Sequence, residues 1–98
     1  MFLGHRNMSM KSHGLVKLIE ESGEVIQVAA KMIAYPKLIF GSKLHPDGTN
    51  LRTRLVEEIG DCYAALEFVV TKLDLSKKLI RERAEMKHKL FKQWDGEP

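Results

Sequence analysis

Six carboxylates recur at one spacing in two places. Glu20, Glu21 and Glu24 stand in the segment Lys17-Leu18-Ile19-Glu20-Glu21-Ser22-Gly23-Glu24. Glu57, Glu58 and Asp61 stand in Arg54-Leu55-Val56-Glu57-Glu58-Ile59-Gly60-Asp61. Both run basic, apolar, apolar, Glu, Glu, x, Gly, acid. On a helix the first Glu and the last acid lie about 40° apart, with the second Glu about 60° beyond the last acid. Each segment therefore aims a fan of three carboxylates to one side. Two such fans facing each other form a socket for a hard divalent cation, because Mg²⁺ and Ca²⁺ take oxygen ligands.

The apolar pattern supports this. Leu18, Val25, Val28 and Met32 fall on one stripe of a first helix, and Glu21 sits inside it. Leu51, Leu55, Cys62, Ala65 and Val69 form a stripe on a second, interrupted by Glu58. A carboxylate at a core position is costly unless it is paired, protonated or bound to a metal. One interruption is ordinary; two, each followed by an acid three residues on, exceed what packing explains. The competing reading is two exposed acidic faces with intrahelical ion pairs such as Lys17 with Glu20 and Arg54 with Glu57.

The elements that must position these acids are helices. The first is expected from about Ser12 to Tyr35, where Pro36 prevents continuation. Its main core stripe is expected to be Leu15, Ile19, Ser22, Ile26, Ala29 and Ile33. Residues 36–49 form a long loop with Pro, Gly and Asp-Gly signals, a length often associated with function. Thr49 or Asn50 caps a second helix to about Lys72, whose other face carries Val56, Ile59, Tyr63, Leu66 and Val70. Asp74-Leu75-Ser76 breaks the pattern before a third helix from Ser76 to about Gln93. Met1 to about Met10 has no periodicity and reads as a short arm or an unstructured stretch. Gly23 and Gly60, each just before an acid, mark either close helix approach or tolerated exposed glycines. No segment reads as a strand, so the fold class is all-α: long antiparallel helices in a bundle completed by homo-oligomerisation.

With 98 residues the chain fits a single domain, 1–98, with a modest core. The net charge is only +3, and most of the positive excess lies between Lys72 and Lys92. That division suits a site where cations meet a polyanion. It does not suit a nucleic-acid binder, since neither an aromatic-interleaved basic strand nor zinc-finger spacing is present. The lone Cys62 rules out an intrachain disulfide and a thiolate metal site. No run is long enough to span a membrane, and the N-terminus lacks a signal-peptide core. A soluble cytoplasmic protein is expected.

The motif Glu20-Glu21-x-x-Glu24 followed by Glu58-x-x-Asp61 resembles that of the MazG-like all-α nucleoside triphosphate pyrophosphatases. The surroundings resemble the short stand-alone phage and bacterial members: Leu18 to Gln27, Lys31, Phe40-Gly41, and Thr49-Asn50 leading to Leu55-x-x-Glu58-Ile59-Gly60-Asp61. The similarity covers about residues 15–70. The gap between Glu24 and Glu58 is longer than usual and falls in the loop, where it bears on substrate choice. The resemblance implies hydrolysis of a (deoxy)nucleoside triphosphate to monophosphate and pyrophosphate in a bacterial or phage-infected cytoplasm. It implies Mg²⁺, for which Mn²⁺ can substitute, held by Glu21, Glu24, Glu58 and Asp61. Glu20 or Glu57 would then orient or deprotonate the attacking water, with Glu20 preferred as the catalytic residue.

A triphosphate also needs cations and polar contacts. Lys31, two turns beyond Glu24, can reach a phosphate or simply complement the helix C-terminus. Arg83 lies in the stripe Leu79, Met86 and Leu90 of the third helix, facing inward toward phosphate or pairing with Glu57 or Glu58. Lys87 is a further candidate. Asn50 serves as substrate contact or helix cap. Tyr35, Phe40 and Trp94 can stack on a base or pack. His5, His13, His45 and His88 lack metal-ligand spacing. The expected partners are the nucleotide and a second copy, as a homodimer or a dimer of dimers, with neither nucleic acid nor membrane. Two alternatives remain: a non-catalytic helical interaction module, and the same fold acting on a phosphoribosyl-nucleotide.

Overall fold

The computed structural model describes residues 12–96; the expected N-terminal arm lies outside them. Among the described residues, three helices, α1 (Leu15–Ala34), α2 (Leu51–Lys72) and α3 (Lys77–Trp94), and one 3-10 turn (Pro36–Leu38) make up the regular structure. Among the described residues there is no strand, as the sequence periodicity requires, and no helix is long and apolar enough to cross a membrane.

The helix ends follow local chemistry. Asn50 Oδ1 accepts the Thr53 amide at 3.1 Å, and Ser76 Oγ accepts the Leu79 amide at 3.1 Å. Both are side-chain caps that satisfy an otherwise orphaned N–H. α1 stops at Ala34 because Pro36 has no amide to continue it. Its start is set differently. Gly14, at φ +89°, is buried against α2, and a Cβ there would lie 2.5 Å from Phe68 Cδ2. Only glycine takes that backbone conformation without strain and leaves room for the ring.

α1 and α2 pack antiparallel. Gly14 meets Phe68 and Val69 at one end, Ser22 Oγ lies 3.8 Å from Cys62 Sγ in between, and Val28 and Met32 join Leu51 at the other. Leu38, Ile39 and Leu55 close over this last cluster. Leu51, 1 % exposed, is its centre; burying a leucine fully contributes about 1.5–3 kcal/mol.

One expectation about the helix faces is corrected, and one left open is decided. The face of α1 turned to α2 carries Val28 and Met32, whereas Leu15, Ile19, Ile26 and Ile33 of the expected main stripe are exposed, Ile33 at 79 %. Both stripes are apolar, and a single partner helix can cover only one. Gly23 and Gly60 have nothing within 4 Å of an added Cβ, so neither serves close approach between these helices. α3 buries no residue; Leu79 and Met86 are exposed. Among the described residues the buried apolar contacts are therefore those of the α1–α2 pair and the turn after α1, and α3 buries no side chain against them.

Candidate metal and nucleotide site

Antiparallel packing brings the two acidic segments together near the middle of the pair. Ligand atoms of Glu21, Glu24, Glu58 and Asp61 all lie within 4.8 Å of one another. Glu21 and Glu24 come from one turn of α1, and Glu58 and Asp61 from one turn of α2. The i, i+3 spacing puts both acids of each helix on its inner edge.

Glu58 is 6 % exposed, and Glu21 is half-buried. Glu21 Oε2 and Glu58 Oε2 are both buried without a hydrogen-bond donor. A buried carboxylate oxygen left in this way is strongly disfavoured, and protonation is one relief. The hydrogen bond that Glu58 then shares with Glu24, followed by burial and the charges of Glu24 and Asp61, pushes its carboxyl up to about 7, against the weaker pull of Arg54. With both glutamates ionised neither can donate to the other. Burial first, then Glu24 and Asp61, also raise Glu21, while Lys17 opposes them. A divalent cation provides the other relief. Four clustered carboxylates, two with unsatisfied buried oxygens, fit a hard oxygen-seeking ion.

A cleft of about 280 Å³ adjoins the cluster, lined by Glu24, Gln27, Val28, Lys31, Asp47, Thr49, Leu51, Arg54 and Glu58. Its two cations are both engaged. Lys31 Nζ donates to Asp47 Oδ2 at 2.9 Å, and Arg54 Nη1 lies 3.7 Å from Glu58 Oε1. Asp47 belongs to a turn in which the Gly48 amide donates to the His45 carbonyl at 2.8 Å. The bond from Lys31, with those from Thr49, holds its carboxyl well below the ordinary range.

The expected site residues divide accordingly. The four metal-ligand candidates come together, and Lys31 lines the adjoining cleft. Glu20 is outside the four-acid cluster and takes the Lys17 ammonium at 3.0 Å. Asn50 caps α2 beside the cleft. Arg83 and Lys87 do not line it: they ride on α3, where Arg83 is exposed rather than turned inward and, among the described residues, no side chain of the helix is fully buried. Among the aromatics, Phe40 lies under Arg52 at 5.3 Å, Trp94 beside Phe91 at 5.5 Å and Tyr35 edge-on to His45 at 4.7 Å; none lines the cleft. Arg54, Gln27 and Asp47 were missed as cleft residues. For Gln27 and Arg54 a signal existed: Gln27 is three residues after Glu24 and Arg54 four before Glu58, each on its acid's face. Asp47 had none, since its partner is sixteen residues away.

Comparison with protein-family models, with curated proteins and with solved structures finds no match for the chain.

Proposed function

We propose that the chain is a Mg²⁺-dependent nucleoside triphosphate pyrophosphohydrolase, converting a (d)NTP to (d)NMP and pyrophosphate. The observation that carries this reading is the buried Glu58 carboxylate. Its Oε2 has no donor, it belongs to a four-acid cluster, and it opens onto a cleft whose cations are Lys31 and Arg54. A non-catalytic helical module accounts for exposed apolar faces but leaves that carboxylate unsatisfied. Glu21, Glu24, Glu58 and Asp61 would hold the ion. When bound, the ion would supply neutralisation of phosphate charge and a lowered pKa for a water molecule.

The chain's own residues supply the rest. Lys31 and Arg54, on facing helices, bind phosphate oxygens from two sides of the cleft once their present carboxylate partners yield. Val28 and Leu51 give it an apolar floor that limits water. Water adds at the α phosphorus, the bond to the bridging oxygen breaks, and pyrophosphate leaves with the electron pair. The proton of the attacking water goes to a carboxylate, for which Glu20, one residue before a ligand and outside the cluster, is the candidate.

The test is a panel of (d)NTPs with Mg²⁺, reading pyrophosphate against orthophosphate. At least one nucleotide yields pyrophosphate, and chelator stops the reaction. Glu21→Gln, Glu24→Gln, Glu58→Gln and Asp61→Asn each lower turnover about 100-fold or more, with helicity retained. Orthophosphate as first product, indifference to chelator, or near-normal turnover in two of the four variants refutes the proposal.

A further inference from the structure

The two cations of the cleft are held by different kinds of partner. Lys31 pairs with Asp47 at 2.9 Å, and Asp47 is not one of the four clustered acids. Arg54 pairs with Glu58, which is one of them. Arg54 therefore shares its partner with the candidate ion site, and Lys31 does not. Position on α2 dictates this, since Glu57 and Glu58 stand three and four residues beyond Arg54, within reach of one guanidinium. Arg54 Nε lies 4.0 Å from Glu57 Oε1, and Nη1 lies 3.7 Å from Glu58 Oε1. Neither distance is a hydrogen bond, so both contacts are attractions between charges and last only while both charges do. The pair with exposed Glu57 is weak. The pair with buried Glu58 is less screened and stronger. The Arg54 amide donates to the Asn50 carbonyl at 3.0 Å in the first turn of α2, so a change of partner requires only the side chain to move.

We propose that Arg54 couples the two halves of the site: Glu58 holds it in the metal-free protein, and uptake of a divalent cation by Glu58 releases it to bind phosphate in the cleft. This rests on the reading of the four acids as an ion site and of the cleft as a phosphate site, and it adds an order of events. While Glu58 keeps its charge, a phosphate meets two engaged cations beside a cluster of carboxylates. Once the charge of Glu58 is neutralised, only exposed Glu57 competes for the guanidinium. Lys31 undergoes no such change, because its partner lies outside the cluster. Ion and phosphate therefore favour each other, and the coupling is reciprocal.

The test uses Mg²⁺ alone and pyrophosphate alone, so it needs no turnover. Calorimetry is performed at about pH 8.5, above the value of about 7 to which Glu58 is pushed. Arg54→Gln removes the cation that competes for Glu58, so Mg²⁺ binds at least about threefold tighter. Arg54→Lys keeps the charge and binds Mg²⁺ within about twofold of wild type. An arginine that merely held Glu58 in place would give the opposite sign, with weaker binding in Arg54→Gln. With chelator present, Glu58→Gln imitates the neutralised carboxylate: pyrophosphate binds at least about threefold tighter than to wild type, and the gain disappears when Arg54→Gln is added. Unchanged or weaker Mg²⁺ binding in Arg54→Gln overturns the proposal while the ion site stands. A pyrophosphate gain that is absent, or that survives without Arg54, does the same. A wild-type chain that binds no Mg²⁺ removes the ion site itself, and this coupling with it.

Discussion

Raising the pH of the metal-free protein should lower its stability, and Mg²⁺ should restore it. Glu58 is pushed from the ordinary glutamate value of 4.5 up to about 7 in the folded chain. In the unfolded chain it keeps its ordinary value, so between these two pH values the folded state binds the extra proton. Stability then falls as pH rises. The contribution is fully present below about 4.5 and is lost as pH passes through about 7. Glu21, raised for the same kind of reason, adds to the slope in the same direction. Asp47 does not oppose it there, because its carboxyl is lowered and its contribution is lost only in more acidic solution. The metal acts on the charged form. At a concentration about 100 times its dissociation constant it contributes about 2.7 kcal/mol. For a domain of this size that is roughly 10–20 °C in Tm. Thermal melts by far-UV circular dichroism, at about pH 5 and about pH 8, with chelator or with Mg²⁺, measure both effects. The metal-free Tm is lower at the higher pH, and Mg²⁺ raises Tm most at that pH. Glu58→Gln flattens the pH dependence and abolishes most of the Mg²⁺ response. A metal-free Tm that climbs between these pH values, or a Glu58→Gln protein that keeps both responses, refutes the reasoning.

Two further outcomes follow from particular contacts. Asp47→Asn frees Lys31 from its carboxylate; because that ion pair is solvent-exposed and weak, affinity for a triphosphate with Mg²⁺ should improve by no more than about fivefold, measured by calorimetry. Weakened affinity would instead make Asp47 a group that positions Lys31. Gly14→Ala should destabilise the protein by roughly 1–3 kcal/mol in chemical denaturation, since a side chain there suffers the positive φ and meets Phe68; an unchanged midpoint would show that the start of α1 yields at little cost.

Much of the molecule is set by neighbours in the chain. Pro36 stops α1, Asn50 and Ser76 cap the next two helices, and the i, i+3 acids share a helix edge whatever surrounds them. Helix position and the side on which Glu21, Glu24, Glu58 and Asp61 stand were therefore legible from hydrogen-bonding chemistry and a 3.6-residue period. The interruption of two apolar stripes by Glu21 and Glu58 also announced their burial, because a stripe that covers a partner helix takes its carboxylate with it.

Tertiary structure decided what periodicity leaves open. α1 has two apolar stripes, and its sequence does not say which one α2 covers; packing chose Val28 and Met32 and left Ile19, Ile26 and Ile33 outside. The same limit misplaced Arg83, for an apolar stripe on α3 signals burial only when something lies across it. The Lys31–Asp47 pair closes a gap of sixteen residues and depends on how the 36–49 loop folds back over α1. Local structure depends on interactions within a few residues. The choice between competing faces depends on the total surface that all elements bury together, which no single segment contains.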